Sequence, residues 1–320
     1  MLRRFRVDIE GGEVAGVAFG EPAAPLEVLF LHANGFNAIT YQSILQPMGG
    51  VAHVAAMDLR GHGRTQLPAD PSKLRNWNTF RDDVIQVIQK VAPDGLILAG
   101  HSMGATTALL AAARAPELIK GLVLTDPVLL PPQAYTSAHI PVLGHMGTSN
   151  AKIAKGARKR RGVFQSPEDA EEALRGRGAF ATWRAPFLHD YLVDGLQRQQ
   201  DGKFALSCDP AWEAACFAAQ ANRPWGAIRK LKKQRFPVII LQAERASTSV
   251  SDTDERVHSV RPDAAVTRVP GTTHFLPMER PYVVRDAINI LRETASGNNA
   301  GVDYVGAVKR TINDSIGGMS

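Results

Sequence analysis

Apolar residues in this chain recur with two different periods. Near the amino terminus Phe5, Val7 and Ile9 alternate with polar neighbours, and after Gly11-Gly12 the apolar positions resume at Val14. Alternation up to a glycine pair, with further small apolar residues after it, predicts a β-hairpin. Five short, mainly apolar runs follow at residues 26–31, 51–57, 96–99, 122–125 and 237–241. Runs of this length, bounded by Gly, Pro or Asp, suit strands covered on both faces. Helix-length stretches lie between them: 77–91, with Val84, Ile85, Val87 and Ile88, and 103–115, rich in Ala and Leu. Strand and helix in alternation predict an α/β protein with a doubly wound, mostly parallel sheet.

The alternation stops after Leu130. Residues 131–224 carry no clear strand pattern and read as charged, helix-like sequence, with Ser166 placed to cap the helix that begins at Pro167. The stretch is too long for a structureless loop. The predicted organisation is a core built from residues 1–130 and 225–295, a helical cap at 131–224, and a tail at 296–320 that opens with a Ser-Gly-Asn-Asn linker. A chain of 320 residues accommodates one such domain with an insertion.

Composition narrows the class further. Hydrophobic residues make up 44% and charged residues 21%, which is globular and excludes disorder. No apolar run approaches the roughly 18 residues of a membrane span. The start lacks the apolar stretch of a secretory signal, so a cytoplasmic protein is expected. Cys208 and Cys216 are too few for a disulfide framework and read as small buried apolar groups. The net charge of +6 resides in one window, 152–161, which holds six basic residues and no acidic one. That window reads as a solvated face, with an anionic substrate tail as the alternative. No nucleic-acid recognition motif accompanies it, so no nucleic-acid partner is expected.

The chemistry lies in Leu96-Ile-Leu-Ala-Gly100-His-Ser102-Met-Gly104-Ala. An apolar strand, Gly-x-Ser-x-Gly and an Ala-rich helix form the context of a nucleophile elbow, which raises a serine Oγ above the sheet edge. With this motif the chain resembles the α/β-hydrolase family across residues 5–295. Two further stretches carry the resemblance: Leu29-Phe-Leu-His32-Ala33-Asn34-Gly35-Phe36 and Met57-Asp58-Leu-Arg60-Gly-His62-Gly-Arg64. The resemblance implies an oxyanion hole from the backbone N–H groups of Met103 and Asn34, with Ala33 standing where many members have Gly. It makes His32, Asp58 and His62 scaffold positions.

A serine nucleophile needs a base and an acid to orient that base, in chain order Ser, acid, His. Gly271-Thr-Thr-His274-Phe-Leu-Pro looks like the family's histidine loop, so His274 is the expected base, while His258 sits in a charged, exposed segment. The acid has several candidates. Asp126, after the run at 122–125, occupies one of the two places the family uses. At the other, after 237–241, Ala243 and Ala246 stand where the pattern wants Gly and Asp, leaving Glu244, Asp252 and Asp254 as alternatives.

The resulting expectation is a serine hydrolase acting on a small-molecule carboxylic ester, lipid esters included. No metal or cofactor motif is present, and neither is expected. A thioesterase, a carbon–carbon bond hydrolase, a cofactor-free dioxygenase and a non-catalytic scaffold share the same residues and remain open. Trp183, Phe187, Tyr191, Trp212 and Phe217 are expected to pack cap against core.

Overall fold

The structure, a computed structural model, describes residues 1–140, 148, 151–295 and 303–317. The amino-terminal hairpin is present as β1 (Arg3–Ile9) and β2 (Gly12–Phe19), paired antiparallel with Val7 opposite Val14. β3 (Val28–Leu31), β4 (Val54–Met57), β5 (Leu96–His101) and β6 (Ile119–Thr125) follow, then β10 (Val238–Ala243) and β11 (Ala265–Val269) after the insertion. Together they form one eight-stranded sheet in the order β1-β2-β4-β3-β5-β6-β10-β11. From β4 onward every neighbour is parallel, and only the hairpin side is antiparallel.

Every residue of β3, β4 and β5 is buried. Their side chains alternate between two apolar layers. Leu29, Leu31, Leu96 and Leu98 meet α2 (Asn78–Val91) and α3 (Met103–Arg114) on one face. Phe30, Ile97 and Ala99 meet the other layer, which includes α12 (Pro281–Ala295). A doubly wound sheet of this kind leaves its active crevice at the carboxyl ends of the parallel strands.

A short α1 (Gln42–Leu45) precedes β4, and between β6 and β10 the chain runs through α4 (Pro132–Ala138), α5 (Lys152–Lys159), α6 (Pro167–Leu174), α7 (Phe187–Gly195), α8 (Pro210–Ala218) and α9 (Pro224–Leu231). Two further short helices, α10 (Thr253–His258) and α11 (Leu276–Glu279), flank β11. One departure from expectation is a small antiparallel sheet, β7 (Val163–Phe164), β8 (Leu196–Arg198) and β9 (Phe204–Leu206), in order β7-β9-β8. Two- and three-residue strands are shorter than the window in which alternation becomes visible. Ser166 caps α6 as expected, its side chain accepting from Asp169 N.

The basic window also departs from a wholly solvated face. Lys152, Lys155, Arg158 and Lys159 are exposed on α5, but the helix ends there and Arg160 turns inward to pair with Glu213 at 2.7 Å. In the tail, residues 296–302 lie outside the described residues. Beyond them α13 (Tyr304–Gly317) packs Val308 and Ile312 into the α12 layer.

Candidate active site

Ser102 occupies the turn between β5 and α3. Its backbone stands at φ 56° and ψ −119°, a region rarely adopted by residues with a side chain and costing about 1–3 kcal/mol. The surroundings hold it there: Ser102 N donates to Thr125 O at 3.0 Å, and Ser102 O accepts from Thr106 N at 3.0 Å. Two glycines permit the close crossing. A Cβ on Gly100 would lie 2.7 Å from the Gly104 carbonyl carbon, and one on Gly104 would lie 2.3 Å from Leu31 O.

His274 follows β11, with its Nε2 2.9 Å from Ser102 Oγ and its Nδ1 2.6 Å from Asp126 Oδ2. Because a carboxylate only accepts, Nδ1 carries the proton, and Nε2 is left to accept from the serine hydroxyl. Asp126 is fully buried and also stands at positive φ, 41°. Its Oδ1 accepts from Ala243 N at 2.8 Å and Ser247 Oγ at 2.6 Å, while Oδ2 accepts from Thr248 N at 3.0 Å. Burial, the largest single influence, pushes this carboxyl up, yet the His274 contact and the Ser247 and Ala243 donors outweigh it and hold it below the usual range.

None of the alternative carboxylates hydrogen-bonds His274. Glu244 is exposed and accepts from Gly271 N, Asp252 pairs with Arg256 on its own helix turn, and Asp254 is exposed. The end of β10 and the loop after it instead supply these three donors to Asp126. Sequence reasoning missed Ser247 and Thr248 in this part, for nothing local distinguishes them from other loop hydroxyls.

His32 and His62 stitch the loop after β3 to the loop after β4. His32 Nε2 accepts from Leu59 N at 2.9 Å, and His62 Nε2 accepts from Gly35 N at 3.1 Å. Burial lowers both imidazoles, His62 to about 4. Asp58 accepts from Ala38 N at 2.7 Å and Arg64 N at 2.9 Å, and burial pushes its carboxyl up to about 7. His258 is exposed, with Nε2 3.0 Å from Ala264 O. Asn34 lies in the loop so anchored, its side chain donating to Glu213 O at 3.0 Å. Neither Asn34 N nor Met103 N donates to a described residue.

Aromatic rings gather beside His274. Phe36, from the loop after β3, stands 4.9 Å from Trp183 and 6.0 Å from Tyr191 between ring centroids, and Phe275 beside His274 stands 6.2 Å from Trp183. Phe187 is buried, Phe217 is half-buried, and Trp212 donates to Arg60 O at 2.9 Å. Insertion and core are therefore packed together through Trp183, Tyr191, Trp212 and Phe187. Cys208 and Cys216 are buried, free thiols. A surface groove of about 960 Å³, lined by Leu110, Arg114, Arg223 and Trp225, touches neither Ser102 nor His274. Among the described residues no helix is long and apolar enough to cross a membrane.

A strained elbow serine and a hydrogen-bonded imidazole and carboxylate, at the carboxyl edge of a doubly wound sheet, define the class. The chain belongs to the alpha/beta hydrolase family, whose pattern it matches over residues 28–287. It is 25% identical to 2-(acetamidomethylene)succinate hydrolase of Mesorhizobium japonicum, over 88% of this chain and 92% of that protein. An esterase of Mycobacterium tuberculosis is 32% identical over a shorter stretch, 37% of this chain and 38% of the relative. Among solved structures, that of E-2-(acetamidomethylene)succinate hydrolase superposes with a TM-score of 0.74 at 24% identity, over 90% of this chain and 98% of that one. A thioesterase domain from the curacin biosynthetic pathway gives 0.70 at 19% identity, over 90% and 99%. At these identities the structural likenesses speak for the fold.

Proposed function

We propose that this protein is a serine hydrolase that cleaves a small-molecule carboxylic ester through an acyl-enzyme. The observation that carries the reading is the unbroken line Ser102 Oγ–His274–Asp126, at 2.9 and 2.6 Å, on a strained elbow. Ser102 attacks the ester carbonyl as His274 Nε2 takes its proton, and Asp126 stabilises the imidazolium and fixes its tautomer. His274 then protonates the leaving alcohol, and afterwards activates the water that releases the acid. The developing oxyanion is held by Met103 N–H, at the amino end of α3, and by Asn34 N–H. Among the described residues neither amide has another acceptor, and the tight approach of Gly104 to Leu31 O keeps the two donor loops adjacent. Residues 131–224 act as a cap whose aromatic face covers the acyl group, in a protein that works in the cytoplasm without metal or cofactor.

The test is labelling with a fluorophosphonate, followed by a panel of p-nitrophenyl acyl esters and the matching thioesters. Adduct at Ser102 alone, absent in Ser102→Ala, with ester turnover insensitive to oxygen, is the expected result. A wild-type serine that stays unlabelled, with no ester turned over, would leave a non-catalytic scaffold.

A further inference from the structure

Two polar side chains beside the site take no part in the chemistry just described, yet both are fully buried: Tyr41 and His101. Tyr41 ends the turn Ala38–Tyr41 beyond the β3 loop, and His101 is the last residue of β5, immediately before Ser102. Their hydrogen bonds form a single chain. Ala33 N–H lies 3.1 Å from Tyr41 Oη, Tyr41 Oη lies 2.8 Å from His101 Nδ1, and His101 Nε2 lies 2.8 Å from the backbone O of His274.

The direction of every bond follows from its ends. An amide N–H can only donate, so Tyr41 Oη accepts from Ala33. The phenol proton then points to His101 Nδ1, which must be the unprotonated nitrogen. A neutral imidazole carries its proton on the other nitrogen, and the His274 carbonyl can only accept it. One tautomer of His101 thus satisfies all the buried groups. Burial also keeps the phenol protonated and the imidazole neutral.

The chain touches the residue before Asn34, the residue before Ser102, and His274 itself. We infer that Tyr41 and His101 are positioning residues that hold the oxyanion loop, the nucleophile elbow and the histidine loop in one mutual register. Neither reaches the reacting atoms. Their effect runs through placement, and a displacement of about 1 Å at a catalytic group costs about 100-fold in rate. The His101 ring also lies against the His274 ring, with centroids 4.9 Å apart, so the same residue supports the base from the side as well as through its backbone.

This inference rests on the serine hydrolase reading, and the test separates the two. Fluorophosphonate labelling is followed to saturation on wild type, Tyr41→Phe, His101→Asn and His101→Gln, with a thermal melt on each. Tyr41→Phe removes the central hydroxyl. His101→Asn keeps an acceptor near Nδ1 but is too short for the His274 carbonyl, and His101→Gln offers an acceptor and a donor at imidazole-like separation. The expected result is a maximal labelling rate lower by about 100-fold in Tyr41→Phe and His101→Asn, with half-saturation moved less than about 3-fold. His101→Gln is expected to recover most of the rate. Should Tyr41→Phe not fold, the Asn and Gln variants decide alone. Equal rates in all variants that fold, or melting temperatures that fall alike with no rescue by Gln, would overturn the positioning role. An inert wild type would take the serine reading with it.

Discussion

Replacing Asp126 by asparagine changes one atom and probes the charge behind the base. Both carboxylate oxygens face a backbone N–H that can only donate: Oδ1 accepts from Ala243 N at 2.8 Å, and Oδ2 from Thr248 N at 3.0 Å. An amide nitrogen in either seat loses one of these bonds. Facing His274, it would donate to Nδ1 and drive the imidazole proton to Nε2, where it blocks acceptance from Ser102. In the other seat the tautomer survives, but no negative charge faces the imidazolium formed during attack. A charge pair near 4 Å at an effective dielectric of about 20 is worth about 4 kcal/mol. At about 1.4 kcal/mol per decade that is about 1,000-fold in kcat, and the wrong tautomer takes the loss toward about 10,000-fold. KM should stay within about 3-fold, since Asp126 is buried behind the imidazole. The assay is kcat on a p-nitrophenyl ester beside Glu244→Gln, Asp252→Asn and Asp254→Asn, each expected within about 2-fold of wild type. An Asp126→Asn enzyme of near wild-type rate, or a Glu244→Gln enzyme as damaged as it, would mean that Asp126 is not the carboxylate that orients His274.

Other consequences are equally specific. Gly104→Ala would place a Cβ 2.3 Å from Leu31 O and 2.5 Å from His32 O, both backbone atoms. The loop must shift, and calorimetry should register a loss of about 1–3 kcal/mol together with reduced kcat. Arg160→Leu strands the Glu213 carboxylate, whose side chain is 10% exposed. Urea denaturation should show a loss of about 3 kcal/mol, much of it restored by adding Glu213→Leu. Burial holds the pKa values of His32, His62 and His101 below the ordinary imidazole value, His62 at about 4 and His101 at about 3. The unfolded chain therefore takes up protons first. The stability these groups support is full above about pH 7 and declines as pH falls from about 6.5 toward the folded values, by up to about 1.4 kcal/mol per unit for each. Their ring-proton NMR shifts should stay flat between about pH 8 and 5, and a titration near 6.5 would contradict the burial argument.

Local chemistry explains what was legible in the sequence. The elbow around Ser102 is contiguous, because strand, sharp turn and helix are written in ten residues. The histidine loop was legible for the same reason, lying between a short apolar run and a proline-led helix. The acid was ambiguous because its choice is a matter of topology. β6 lies beside β10, so the ends of both strands converge on His274, and only the packed structure turns Ser247 and Thr248 toward Asp126. Tyr41 and His101 left no sequence signal. Their partners are 60 and 173 residues apart along the chain, and His101 stands at a motif position open to any residue. Arg160 was indistinguishable from its basic neighbours until α5 ended and turned it inward. The docking of the α13 tail on the α12 layer depends on a surface formed only after folding.

An acyl-enzyme mechanism requires that Ser102 itself become acylated. The direct measurement is rapid acid quench of the enzyme mixed with a p-nitrophenyl ester, then intact mass and peptide mapping. The expected result is a transient mass gain of one acyl group on the peptide containing Ser102, formed with a burst of nitrophenol and absent in Ser102→Ala. Turnover without any covalent adduct, or turnover that survives Ser102→Ala, would contradict it.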